Sequence, residues 1–140
     1  ASSDYTLRDR LTAVSLRNPR GEFVQPDLPA FRAAIVAGGL FKNGLTPTPL
    51  LDTPGAGAWP IVTATYVLVP SRPTSVERAS RTLNFFYRSF LLGDKAVAGT
   101  GFAPLPVATQ ARIVSLLTGF RTRDGVVVPV IGLADPTAAR

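Results

Sequence analysis

Cysteine, histidine and methionine are all absent from the 140 residues. Without cysteine there is no disulfide, no thiolate nucleophile and no sulfur ligand for a metal, and the redox compartment is left open. Without histidine the commonest general base and metal ligand is missing, and no side chain has an unperturbed charge change near neutral pH. A serine triad in its usual form and a cysteine nucleophile are thereby excluded. The nine Asp and Glu residues are scattered and form no DxD or ExxE cluster. Only a chance meeting of Asp94 and Asp124 in space would give the carboxylate pair of a hydrolase. The chain therefore reads as a non-enzyme with no catalytic residue, no metal site and no cofactor.

Long apolar runs are missing as well. Runs such as residues 66–70 and 126–131 fall far short of the roughly 20 residues of a membrane helix, so no membrane insertion is expected. The N-terminal "ASSDYTLRDR" has neither an initiator methionine nor an apolar signal core, which reads as a processed or fragmentary chain. Lysine is scarce, and the net charge of +6 comes from scattered arginines. Such a balance is compatible with nucleic acid, anionic surfaces or small anions. No aromatic-basic signature of RNA recognition accompanies it, so no nucleic-acid partner is expected and a basic solvated surface is the plainer reading.

What is present is a folding composition: 46% hydrophobic against 17% charged residues, enough for one ordinary domain or two small lobes. "LTAVSL" at 11–16 predicts a short strand and "RNPRGEF" a turn. In "PDLPAFRAAIVAGG", Asp27 is placed as an N-cap, Pro29 in the first turn and Gly38 with Gly39 as a stop, which predicts a helix over 28–37. The Pro- and Gly-dense stretch 42–58 predicts a long connection between compact units. It leads through "GAGAWP", with the chain's only tryptophan, Trp59, before Pro60. "IVTATYVLV" at 61–69 predicts a largely buried strand. Thr74 and Glu77 have capping-box spacing ahead of a helix that Gly93 closes, with Val76, Ala79, Leu83, Phe86 and Phe90 on one face and Arg78, Arg81 and Arg88 elsewhere. Phe85, Phe86 and Phe90 read as core. A further helix is predicted over 107–118, and "RTRDGVVVPVIGL" predicts an Asp-Gly turn at 124–125 followed by a β-prone run.

Two glycine-rich turns, "GAG" at 55–57 and "GTG" at 99–101, could offer backbone N–H groups to an anion. Neither matches a Walker or dinucleotide fingerprint, and turn or linker is the better reading. The helix N-terminus at Thr74 and Ser75 could attract an anion through its dipole, as any helix start can.

Four stretches in order resemble one family. Asn18, Gly21, Val24 and Pro26 fit an N-x-x-G-x-x-V-x-P segment ahead of a helix, and Ala58–Ile61 fits an AWPI corner leading into an apolar strand. Phe85 and Phe86 fit a helix with paired phenylalanines, and Gly101–Pro106 fits a G-Y-x-P-L-P loop with Phe102 in place of Tyr. This order is similar to the C-terminal part of the periplasmic phosphate-binding proteins of ABC importers, PstS. The resemblance implies a periplasmic-binding-protein-like α/β fold, here part of a two-lobed receptor. Residues 1–58 would be a portion of one lobe plus linker, and 59–140 the hinge crossing and a portion of the other lobe. It implies a periplasmic or extracellular location, an ABC permease as partner, and inorganic phosphate bound only together with a missing N-terminal part. The family's R-x-x-x-S-G-T type motif has no counterpart: Gly99, Thr100 and Gly101 are the nearest stretch, and no arginine stands four residues earlier. No position inherits a phosphate contact, and the ligand-binding residues are unknown. The alternative is a stand-alone structural or protein-interaction module that kept the scaffold and lost the anion, with self-association or a companion chain covering its open faces.

Overall fold

The computed structural model describes residues 9–41 and 46–130. Residues 42–45 of the expected connection, the first eight residues and the end of the β-prone tail, 131–133, lie outside the described residues. Helices hold the described chain together. Helix α1, Leu28–Gly38, begins at Asp27, whose side chain accepts a hydrogen bond from the Ala30 amide at 2.9 Å, with Pro29 in the first turn. It ends at Gly39, where φ of 62° puts the backbone in the left-handed region; the Gly39 amide donates back to the carbonyls of Ile35 and Val36. A side chain there would carry a steric cost that glycine avoids.

Helix α2, Val76–Leu92, is capped one residue later than expected. Ser75, not Thr74, accepts from the Arg78 amide, at 3.3 Å. That register takes Glu77 out of the capping-box position, and its carboxylate instead pairs with Arg81 one turn on, at 2.6 Å on an exposed face. A single 3-10 turn, Gly93–Lys95, follows it directly. Helix α3, Val107–Leu117, starts from Pro106, where no side chain caps the first turn. Gln110 braces that start, donating from its amide to the Leu105 carbonyl and to Asp94.

Strand structure is much sparser than the sequence predicts. Of 11–16, only Leu16 continues into a ladder: β1, Leu16–Arg17, pairs antiparallel with β2, Phe23–Val24. The β-prone tail makes one bridge, Arg121 to Val127, around a turn at Arg123 and Asp124, with further bonds from Thr122 to Val126 and from Val128 to Phe120. The strand expected over 61–69 is corrected outright. After a single bridge between Leu51 and Ile61, residues 63–70 take part in no backbone hydrogen bond among the described residues. Only Val62 of that run is buried, and Leu68 is 94% exposed. Strand-forming side chains do not make a strand without a neighbouring edge.

The result is a small mixed helix and strand assembly, a partial α/β domain. Its buried residues fall into two clusters. The first joins Ala34, Ile35 and Leu40 around α1 to Leu50, Trp59 and Val62. The second joins Ala79 and Leu83 of α2 to Leu117 of α3 and to Val128 and Val130. Phe86 and Phe90 are half-buried, whereas Phe85 is 66% exposed, which corrects the reading of all three as core. Phe85 lies one position off the stripe set by Ala79, Leu83, Phe86 and Phe90, and makes a T-shaped contact with the Phe86 ring at 5.3 Å between centroids.

Candidate functional site

The corner at Trp59 is the most tightly specified feature of the first cluster. The Trp59 amide donates to the Ala30 carbonyl at 3.1 Å, and its ring is buried against α1. Close packing requires Gly55 to be bare, since a Cβ there would stand 2.6 Å from the Cβ of Ala37. Asp52, in the left-handed region with φ of 47°, donates its amide to the Pro60 carbonyl at 2.8 Å and closes the loop from 51 to 61. A short polar side chain tolerates that backbone region better than most. Thr53, tucked into the same loop, has a buried hydroxyl without a hydrogen-bond partner among the described residues.

A second device ties the first turn to this corner. Buried Asn18 folds the 18–22 turn on itself, its Oδ1 accepting from the amides of Arg20 and Glu22 at 3.0 Å each. Its Nδ2 donates to Glu22 Oε2 at 2.8 Å, and that same oxygen accepts from the Gly57 amide at 2.8 Å. The bond from Asn18, then the bond from Gly57, then the nearby Arg20 guanidinium hold the Glu22 carboxyl below its usual value of 4.5. Its folded value lies below its unfolded one, so Glu22 contributes stability that is fully present above the ordinary glutamate range and is lost as pH falls through the lowered folded value. Thermal melting of the wild type and Glu22→Gln across the acid range should accordingly show a gap at neutral pH that closes on acidification. A gap that stays constant with pH would mean the carboxylate charge is irrelevant to the latch.

This contact also answers what the glycine turns do. The Gly57 N–H, a candidate anion donor by sequence, is occupied by the protein's own carboxylate. In the other turn, Thr100 Oγ1 accepts from the Phe102 amide and donates to the Val97 carbonyl, so the hydroxyl is used locally. The start of α2 is likewise closed by Ser75. Asp94 accepts from Gln110, and among the described residues no three carboxylates come together as a metal cage.

Beside the corner lies an apolar cleft of about 830 Å³. Trp59, Val62, Tyr66, Phe86, Phe102 and Leu117 contribute to its wall, and none of the described lining residues carries a charge. Such a wall suits apolar side chains. Thr12, Thr63, Thr65 and Tyr66 add hydroxyls to it, but the described lining holds no cationic side chain to pair with a desolvated anion. Sequence reasoning missed both the Glu22 latch and the cleft. Glu22 and Gly57 are 35 residues apart, and nothing local to either announces the other.

The scaffold and its uncharged cleft define the chain as a partial α/β domain. No family model matches the sequence. The chain is nevertheless similar to curated phosphate-binding proteins named PstS. It is 28% identical over 102 residues to the phosphate-binding protein PstS of Xylella fastidiosa (strain Temecula1), covering 73% of this chain and 28% of that protein. It is 28% identical over 111 residues to the phosphate-binding protein PstS of Haemophilus influenzae, covering 79% of this chain and 33% of that one. The phosphate-binding protein PstS of Pasteurella multocida gives 28% identity over 103 residues, 73% of this chain and 30% of the relative. The chain thus spans 28 to 33% of the length of these curated relatives. Their names are those of binding proteins, not of enzymes.

Proposed function

We propose that the chain is the C-terminal part of a PstS-like phosphate receptor of an ABC-type uptake system, acting in the periplasm or outside the cell and meeting an ABC permease as partner. The ordered similarity to phosphate-binding proteins over 73 to 79% of the chain carries this reading. The division into a first lobe with linker, 1–58, and a crossing with part of a second lobe, 59–140, belongs to the same proposal. In support, no helix of the described residues is long and apolar enough to cross a membrane.

Phosphate binding is a property of the whole receptor, with the contacts supplied by polypeptide that the matched region does not cover. The cleft, uncharged among its described lining residues, and the use of the Gly57 amide and the Thr100 hydroxyl by the protein's own groups support that assignment. Calorimetric titration of the 140-residue chain with inorganic phosphate should give no heat of binding in the micromolar range. Micromolar or tighter binding would overturn the claim that the anion site lies elsewhere. A stand-alone interaction module is the second reading, favoured by the exposure of Ile61, Val67, Leu68 and Phe85. It requires a defined oligomer or hetero-complex in light scattering, and a well-folded monomer that joins only PstS-like polypeptide counts against it.

A further inference from the structure

We propose that the outer face of helix α2 is a docking surface for an anionic lipid membrane, on which the chain rests without inserting a helix. It goes beyond the receptor reading above and needs no phosphate site.

Helical spacing sets the face. At 3.6 residues per turn, Arg78, Arg81, Phe85, Arg88 and Leu92 fall within an arc of about 80° and along about 21 Å of the axis. All five are exposed, Leu92 to 73%. Ala79 and Leu83 are buried in the second cluster, with Phe86 and Phe90 half-buried on the same side, so the helix is already anchored to the protein by its other face. Thr82 and Ser89 share the outer face, but their hydroxyls donate to the carbonyls of Arg78 and Phe85, at 3.0 and 2.8 Å. Their polar demand is met within the helix. Lys95, exposed in the 3-10 turn that follows, adds a further cation at the C-terminal end.

Charge decides what covers this face. Glu77 is the one carboxylate on α2 and pairs with Arg81, while Asp94 just beyond the helix accepts from Gln110. Arg78, Arg88 and Lys95 are in no ion pair among the described residues. Burying them against further polypeptide would call for a carboxylate opposite each, so the face belongs on the surface of a larger protein as well. Cations and apolar side chains follow one another along a single line. A bilayer with anionic headgroups offers phosphate oxygens to the former and hydrocarbon just beneath to Phe85 and Leu92, with no matching register required. Arginine stems are long enough to keep the guanidinium at the headgroups while their methylenes lie along the apolar layer. A nucleic acid would use the cations and give Leu92 nothing to contact. An acidic protein would have to repeat the same alternation in carboxylates and apolar pockets.

The test is flotation of the 140-residue chain with vesicles of equimolar phosphatidylcholine and phosphatidylglycerol, and with vesicles of phosphatidylcholine alone. The chain should float with the mixed vesicles only, and raising the salt to about 1 M, where the Debye length is about 3 Å, should release it. Arg78→Glu with Arg88→Glu should weaken the partitioning by about tenfold or more. Phe85→Ser should weaken it severalfold at low salt. The same charge change at two exposed arginines elsewhere, Arg32→Glu with Arg123→Glu, should have the smaller effect of net charge alone. All the substituted side chains are exposed, and unchanged melting temperatures verify the fold. No flotation with the mixed vesicles overturns the proposal, as does equal flotation with phosphatidylcholine alone. An equal loss from the two arginine pairs, or no loss from Phe85→Ser, reduces the binding to general basicity and overturns the assignment to this face. Binding to polyuridylate or polyglutamate without binding to vesicles gives the face to another partner and likewise overturns it.

Discussion

Trp59→Ala should lower the stability of the chain by about 3–5 kcal/mol, the cost of deleting a large buried aromatic side chain. The ring is 9% exposed and belongs to the cluster that unites α1 with the 50–62 segment. Its removal opens a cavity where three features converge: the Trp59 to Ala30 bond, the Gly55 approach to Ala37 and the Asp52 to Pro60 closure. A collapse that filled the cavity would have to move this pinned backbone, so relaxation recovers little. Against a typical total of about 5–15 kcal/mol, the loss is a large share. Denaturant unfolding followed by far-ultraviolet circular dichroism measures it in both proteins, because the substitution removes the chain's only indole fluorophore. Unchanged stability would show that the corner does not organise the first cluster, and the boundary proposed at 58 and 59 would have to be redrawn.

Leu83→Ala is the corresponding probe of the second cluster, with an expected loss of about 2–5 kcal/mol. Leu83 is fully buried on α2, among Ala79, Leu117, Val128 and Val130. Ser80 and Asn84, on either side of it, both hydrogen-bond the Pro129 carbonyl, which fixes the returning chain over the leucine and limits repacking. No buried residue is common to the two clusters. The double substitution with Trp59→Ala should therefore be additive to within about 0.3–0.5 kcal/mol. A larger coupling energy would mean that the two clusters share their packing and that a division into lobes at the corner is physically wrong.

The helices were legible because their hydrogen bonds close within four residues. Asp27, Pro29 and Gly39 mark α1 locally, and the spacing of Ala79, Leu83, Phe86 and Phe90 marks the inner face of α2. The cap of α2 was placed one residue early because Thr74 and Ser75 have equivalent chemistry, and only the observed bond to Arg78 distinguishes them. Strands were legible as propensity and not as pairing. The run 61–69 has every local mark of a strand, yet the edge it would pair with is not written in its own residues. The resemblance to PstS was legible in four ordered stretches. The Glu22 latch was not, because it depends on the fold bringing two turns together across the first cluster. A carboxylate in place of a bound anion at Gly57 is the plainest lesson of the site: a glycine-rich turn offers an N–H, and sequence alone does not say who takes it.

The arrangement of the first cluster also sets an order of events in time. All its buried members lie between Ala30 and Val62, and the bond from Asp52 to Pro60 closes a short interval within that stretch. Short closures cost little chain entropy and favour rapid formation. During synthesis all buried members of this cluster are available once Val62 has left the ribosome, with Ala64 and Leu105 packing on later, while the second must wait for Val128 and Val130. The corner is therefore set before the apolar run that follows it is complete, and that run emerges already anchored at one end.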